Sequence, residues 1–184
     1  MKKLLTLLLL STSLLHAQCP VEGSATNDKD KIANRLKNRN ITTKKIDSIN
    51  LQQVLAPGRD SARFSNTSYS MIEGYVVEIK DGGKESCNCG AEADSLIDVH
   101  IYIGLTPTAA KEDCMIIEVT PKFKKLYPTL NLKKLKGKKV KIYGYMFYDE
   151  EHKGNAKNTC MKCTKVWRRT CWEIHPVVKI KEIK

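Results

Sequence analysis

Five short runs rich in Val, Ile and Tyr fill the chain from Met71 onward, and their order constrains the fold more than any other feature. They are Ile72–Lys80, Leu96–Leu105, Cys114–Thr120, Lys139–Tyr148 and Trp172–Ile183. Asp81-Gly82-Gly83 supplies a turn after the first. Thr129–Lys136, closed by Gly137, has the character of a short helix between the third and fourth. Three strands, a helix and two more strands is the order of an OB-type Greek-key barrel. The expected fold class is therefore mostly β: a small five-stranded OB-like barrel with an N-terminal helical extension and a short helix between strands 3 and 4. A different small barrel or a β-sandwich is the alternative these strands allow. Gly74 and Gly144 fall mid-strand, where a strongly coiled strand needs a residue without a Cβ.

Upstream, Asp28–Asn38 reads as a polar helix with Ile32, Ala33 and Leu36 on one side and Asn27 or Asp28 as its cap. Leu51, Val54 and Leu55 suit another helical turn. At the start, Lys2 and Lys3 precede the apolar run Leu4–Leu10, and a polar stretch leads to Ala17, the pattern of a secretory signal. No later apolar run approaches the ~18–20 residues of a membrane helix. The expected organisation is a signal peptide at 1–17, a helical extension at 18–69 and a barrel domain at 70–184. Export to the periplasm or beyond is expected, with lipid attachment at Cys19 as the lesser alternative. A chain of 184 residues with 41% hydrophobic residues suits one barrel domain and argues against general disorder.

All seven cysteines follow Ala17, so an exported chain would oxidise some of them. Cys87, Cys89, Cys114, Cys160, Cys163 and Cys171 are the candidates for disulfides, and an odd total leaves at least one thiol unpaired or lipidated. Cys87-Asn88-Cys89 and Cys160-Met161-Lys162-Cys163 can together also offer four thiolates to zinc, a reading that export disfavours.

Each histidine after the leader has a carboxylate within three residues. Asp98-Val99-His100 and Glu173-Ile174-His175 have a spacing of two, which on a strand puts acid and imidazole on one face. Val99, Ile101 and Ile103 would face the core, leaving Asp98 and His100 outside. In the last strand Ile174, Val178 and Ile180 would point inward, and Glu173 and His175 outward. Ile117 and Val119 turn Glu118 outward, and Asp149-Glu150-Glu151-His152 follows the fourth strand. Since strands 2-3-5-4 are neighbours in an OB barrel, these groups would form one patch. Carboxylate oxygen with neutral imidazole suits Zn²⁺, Mn²⁺ or Fe²⁺, and an open position on the ion can activate water. The same pattern also describes an ordinary exposed strand face or a bracing hydrogen-bond network.

Pro121–Lys141 carries nine lysines and no acid, in a chain of net charge +12. Phe123, Tyr127, Tyr143, Tyr145, Phe147, Tyr148 and Trp167 are interleaved with these and later cations. OB barrels bind single strands through such a cationic groove with stacking rings, and the charge would equally attract an acidic glycan or lipid surface.

Glu85-Ser86-Cys87-Asn88-Cys89, Asp98-Val99-His100-Ile101, Glu118-Val119-Thr120-Pro121, Asp149 with His152, and Trp172-Glu173-Ile174-His175-Pro176 occur in that order over roughly residues 30–183. The set resembles a family of exported bacterial OB-type proteins with no assigned activity. The resemblance implies that Asp98, His100, Glu118, Asp149, His152, Glu173 and His175 act together, and supplies no reaction. The cysteine-bearing loop at 153–165 departs from it.

The leading functional expectation is a binding protein for a polyanion or single-stranded nucleic acid, using Lys122, Lys124, Lys133, Lys134, Lys139, Trp167 and Arg168. The alternative is a phosphodiesterase-like hydrolase dependent on a divalent metal such as zinc. Its ligands would come from Asp98, His100, Asp149, His152 and His175, its base from Glu118 or Glu173, and Arg169 would clamp a phosphate. A structural envelope protein is the third expectation.

Overall fold

All five expected strands form in the computed structural model, which describes residues 19–183. The expected signal peptide lies outside the described residues. The strands are β1 (Tyr69–Asp81), β2 (Val99–Gly104), β3 (Met115–Val119), β4 (Lys139–Tyr148) and β5 (Trp172–Glu182). They close into a barrel in the order β1-β2-β3-β5-β4, the OB-like topology. Every pair is antiparallel except β3 with β5. Closure removes free sheet edges, and alternation sends Ile72, Ile101, Ile103, Ile117, Val140, Ile142 and Ile174 into one apolar core.

The mid-strand glycines sit where strands cross most closely. A Cβ on Gly144 would lie 2.5 Å from the Pro176 carbonyl oxygen, and one on Gly74 would lie 2.9 Å from that of Gly104. Irregular β4–β5 pairing around Gly144 shifts the phase of β5. Val177 therefore joins the main core, while Val178 packs with Tyr69 and Tyr145 in a satellite cluster, correcting the inward placement expected for Val178.

The expected upstream helix is α1 (Asp28–Lys37), capped by the Asn27 side chain, with Asp28 and Asp30 in its first turn and Arg35 and Lys37 in its last, as the helix dipole favours. The short helix α2 (Leu51–Leu55) starts with a reciprocal capping box between Asn50 and Gln53 and inserts Leu51, Val54 and Leu55 into the barrel core. The β3–β4 connection holds α3 (Pro121–Leu126), with Thr120 as cap and Pro121 in its first turn, followed by a 3-10 turn at Leu132–Leu135. The helix expected at 129–136 is thus only that short turn, and the true helix starts where the lysine run obscured a capping threonine. No helix among the described residues is long and apolar enough to cross a membrane.

Two disulfides are formed, Cys19–Cys89 and Cys160–Cys163. Cys87, Cys114 and Cys171, expected as disulfide candidates, are buried free thiols. Cys19 ties the start of the extension to the β1–β2 loop.

Candidate metal centre

Three neighbouring strands present the carboxylates and imidazoles on their outer face, as the period-two pattern requires. His100 of β2 stands directly opposite Glu118 of β3, and Glu173 of β5 lies beside Ile116 of β3. That face is not solvent-exposed as expected. The C-terminal end of α1 and the 3-10 turn at Ser86–Asn88 in the β1–β2 loop cover it. Asn38 at the end of α1 donates to the Cys87 carbonyl at 2.8 Å, and Asn34 to the Ser86 hydroxyl at 3.0 Å. The Cys19–Cys89 disulfide secures the same cover. Beneath it Asp98, Glu118, Asp149, Arg168, Glu173 and His175 are all buried, and His100 keeps only 16% of its side chain exposed.

One half of this polar layer is saturated. Arg168 donates to Glu173 at 2.9 Å and to Asp149 at 3.1 Å, and its Nε donates to the Thr170 carbonyl at 2.7 Å. Burial alone would favour its loss of charge, but the two carboxylates outweigh that and raise its pKa further. Burial opposes the ionisation of Asp149 as well, yet the adjacent His152 and Arg168 hold its carboxyl below the usual range. His152 Nδ1 lies 2.5 Å from Asp149. Glu173 in turn lies 3.2 Å from His175 Nδ1. A proton on Nδ1 there leaves Nε2 as a lone-pair donor, the arrangement by which a carboxylate orients a metal-binding histidine. Lys37 pairs with Glu85 at 2.9 Å. Against the pull of burial, Glu85 and its fellow acids raise the Lys37 pKa, while the neighbouring His100 and Lys37 depress that of Glu85.

In the other half, Asp98 and Glu118 pair with no lysine or arginine. Asp98 and Glu118 have pKa values raised first by burial, and for Glu118 next by the charges of Glu173, Glu85 and Asp98. Asn88 satisfies Asp98 Oδ1 at 2.9 Å. Asp98 Oδ2, Glu118 Oε2, His175 Nε2 and His100 Nε2 remain buried without a hydrogen-bond partner. They are nevertheless close: His175 Nε2 to Asp98 Oδ2 is 3.3 Å, and His100 Nε2 to Glu118 Oε2 is 3.1 Å. A tetrahedral ion with bonds of about 2.0–2.1 Å sets its ligand atoms roughly 3.3 Å apart. Buried polar atoms are normally paired, so unpaired atoms converging at that spacing fit a cation between them. Asp98, Glu118 and His175 offer ligand atoms all within 4.8 Å of one another, and so do Glu85, His100 and Glu118, and Glu85, Cys87 and Asp98.

The structure thus gathers His100, His175, Asp98 and Glu118 as the sequence suggested. Asp149 and His152, expected as ligands, belong to none of these triads: Asp149 holds Arg168, and His152 lies against Asp149. Glu173, expected as a base, holds Arg168 and His175. Arg169 does not face the centre: its Nε donates to the Leu55 carbonyl at 3.1 Å and its Nη1 lies 3.4 Å from Asp113. Its neighbour Arg168 faces the centre, but at 1% exposure it touches no outside ligand.

Several expected polyanion contacts are also committed elsewhere. Lys122 donates to Asn40 at 3.0 Å, Lys124 to the Ile97 carbonyl at 2.7 Å, and Lys139 pairs with Glu73 at 2.7 Å. Trp167 is half-buried between Tyr102 and His152 rather than free to stack. Lys133 and Lys134 remain exposed. Sequence reasoning missed Glu85, Asn88 and Lys37 as members of the site, and offered Cys87 only for a disulfide or a four-thiolate zinc site. Glu85 and Asn88 flank the first thiol of a cysteine pair, which was the one local signal.

No protein-family model matches the chain, and no curated protein matches it. Among solved structures, the chain is similar to Entamoeba histolytica asparaginyl-tRNA synthetase, with 13% identity and a TM-score of 0.40 over 73% of this chain. It spans 23% of that protein's length.

Proposed function

We propose that this protein is an OB-like metalloprotein whose buried Asp98/Glu118/His175 centre holds a divalent transition ion, Zn²⁺ foremost. One observation carries the reading: Asp98 Oδ2 and His175 Nε2 are buried, unpartnered and 3.3 Å apart, and Glu118 offers a carboxylate oxygen within 4.8 Å of ligand atoms on both residues. Oxygen and imidazole donors favour Zn²⁺, Mn²⁺ or Fe²⁺ over softer ions. A divalent ion would also neutralise two buried carboxylates that no lysine or arginine balances. Three protein ligands leave a position for water, and the half-buried Glu85 and His100 form the least covered edge, so hydrolysis is the chemistry this centre suits. An oxidising compartment, in keeping with the two disulfides, is the location we propose. The test is elemental analysis of full-length protein purified without chelator, with thermal unfolding before and after chelation. At least one ion per chain, a lowered Tm on chelation and loss of the ion in His175→Ala are expected. A metal-free protein whose Tm ignores added Zn²⁺, Mn²⁺ and Fe²⁺ overturns the reading.

A second reading has its own support. Lys125, Lys133, Lys134 and Lys136 are exposed along the β3–β4 connection. This ridge would hold a polyanion electrostatically. Binding to a single-stranded oligonucleotide or to heparin should then fall steeply between about 50 and 200 mM salt. Absent or salt-independent binding removes this reading.

A further inference from the structure

We propose that the centre is built for two divalent ions bridged by Glu118, not one; the inference rests on the metal reading above and deepens it. The candidate ligand atoms do not collapse into a single set of four. They fall into overlapping triads, and the two that contain an imidazole share one residue, Glu118. Asp98, Glu118 and His175 form the inner triad; Glu85, His100 and Glu118 form the outer one. One tetrahedral ion would draw all its ligand atoms to roughly 3.3 Å of one another, whereas among the described residues no four of these side chains bring ligand atoms within even 4.8 Å of one another. A carboxylate has two oxygens and can bind one ion with each. Two ions held about 3.5–4 Å apart are a recurrent arrangement for hydrolytic centres.

The surroundings favour the outer site independently. His100 Nε2 is buried and without a hydrogen-bond partner although Glu118 Oε2 is 3.1 Å away and Glu85 Oε1 3.8 Å away. Gly82 passes so close that a Cβ there would lie 3.1 Å from His100 Nε2 and 2.9 Å from the Asp98 carbonyl oxygen. The β1–β2 loop therefore leaves room at the imidazole that any other residue would fill. The third triad, Glu85, Cys87 and Asp98, is the weaker competitor for the second ion. It lacks an imidazole, and its thiol already donates to Glu85 at 3.3 Å. The charges also match. Glu85, Asp98, Glu118, Asp149 and Glu173 face two fixed cations, Lys37 and Arg168. The three remaining negative charges, with one hydroxide between the ions, balance two divalent cations.

The experiment is titration of chelator-stripped full-length protein with Mn²⁺ and with Zn²⁺, followed by elemental analysis after desalting. Two ions per chain are expected, falling to one in His100→Ala, which leaves the inner triad whole. Because a variant can fail to fold, wild-type protein with two equivalents of Mn²⁺ is also examined by electron paramagnetic resonance. An exchange-coupled pair signal is expected. One ion per chain in the wild type, or two uncoupled Mn²⁺ signals, overturns the bridged pair while the single-ion reading stands. No bound ion at all overturns both.

Discussion

Arg168 shows how one residue sets the chemistry around it. It is fully buried, forked between Glu173 and Asp149, and through Glu173 it fixes the ring of His175. Replacing it with leucine would strand two buried carboxylates. Arg168→Leu is expected to lose about 3–5 kcal/mol in urea denaturation. Arg168→Lys should recover part of that loss, because it keeps the charge but not the bidentate fork. A leucine variant as stable as the wild type would show that the bridge does not hold the layer. The sequence could not distinguish Arg168 from Arg169, since the two are adjacent in a connection without periodicity. Only the fold turns one inward and the other toward Leu55 and Asp113. Cys114 makes a different point at the same scale. Burial, the largest cause, and the nearby Asp113 and Glu112 push its thiol up to about 12. An unfolded thiol ionises near 8.5. Above that pH the unfolded state has lost a proton that the folded state retains, so stability falls as pH rises from about 8.5 toward 12. In the folded protein at pH 8, Cys114 should therefore resist iodoacetamide, and mass spectrometry should show its alkylation only after denaturation. Ready alkylation of the native protein at Cys114 would contradict this.

The strands carry the part of the molecule that was legible beforehand. Alternation in β2, β3 and β5 is local, so Asp98 before β2, His100, Glu118, Glu173 and His175 could be assigned to one face from their neighbours alone. The cover over that face was not legible. Lys37 meets Glu85 across 48 residues, and Asn38 meets Cys87 across 49, through contacts that leave no periodic trace. A patch that reads as surface thus becomes an interior when a helix lies over it. The phase of β5 was misjudged for a similar reason, because irregular pairing around Gly144 breaks strict alternation. That glycine gives a test at this scale. A Cβ at 144 would meet backbone at Pro176, which cannot yield as a side-chain tip can. Gly144→Ala is expected to cost about 1–3 kcal/mol. At Gly83 a Cβ meets nothing within 4 Å, so Gly83→Ala should stay within about 0.5 kcal/mol of the wild type. Equal effects in chemical denaturation would mean that the close crossing at Gly144 is not what demands glycine.

At the scale of the whole molecule, the extension, the β1–β2 loop and the barrel act as one enclosure, and Cys19–Cys89 is its clasp. That disulfide closes a span of 70 residues, whereas Cys160–Cys163 closes a span of 3. A crosslink stabilises largely by restricting the unfolded chain, and more so across a long loop. Changing both Cys19 and Cys89 to serine should therefore cost about 2–4 kcal/mol, and changing both Cys160 and Cys163 to serine much less. The clasp also bears on the centre, because Glu85 and Asn88 sit in the loop it holds and reach His100 and Asp98 from there. Loosening the loop would free these groups to leave the site and would admit water. An ion that binds only the folded, enclosed form raises stability with the logarithm of one plus its free concentration divided by its Kd, so weaker binding gives a smaller gain. The Tm gain from a fixed excess of Zn²⁺ should thus be smaller in the Cys19/Cys89 double-serine protein than in the wild type, and unchanged in the Cys160/Cys163 one. Thermal unfolding of the three proteins with and without Zn²⁺ measures this directly. An equal gain in all three would show that the inner ligands hold the ion without help from the cover, and that the clasp serves the fold alone.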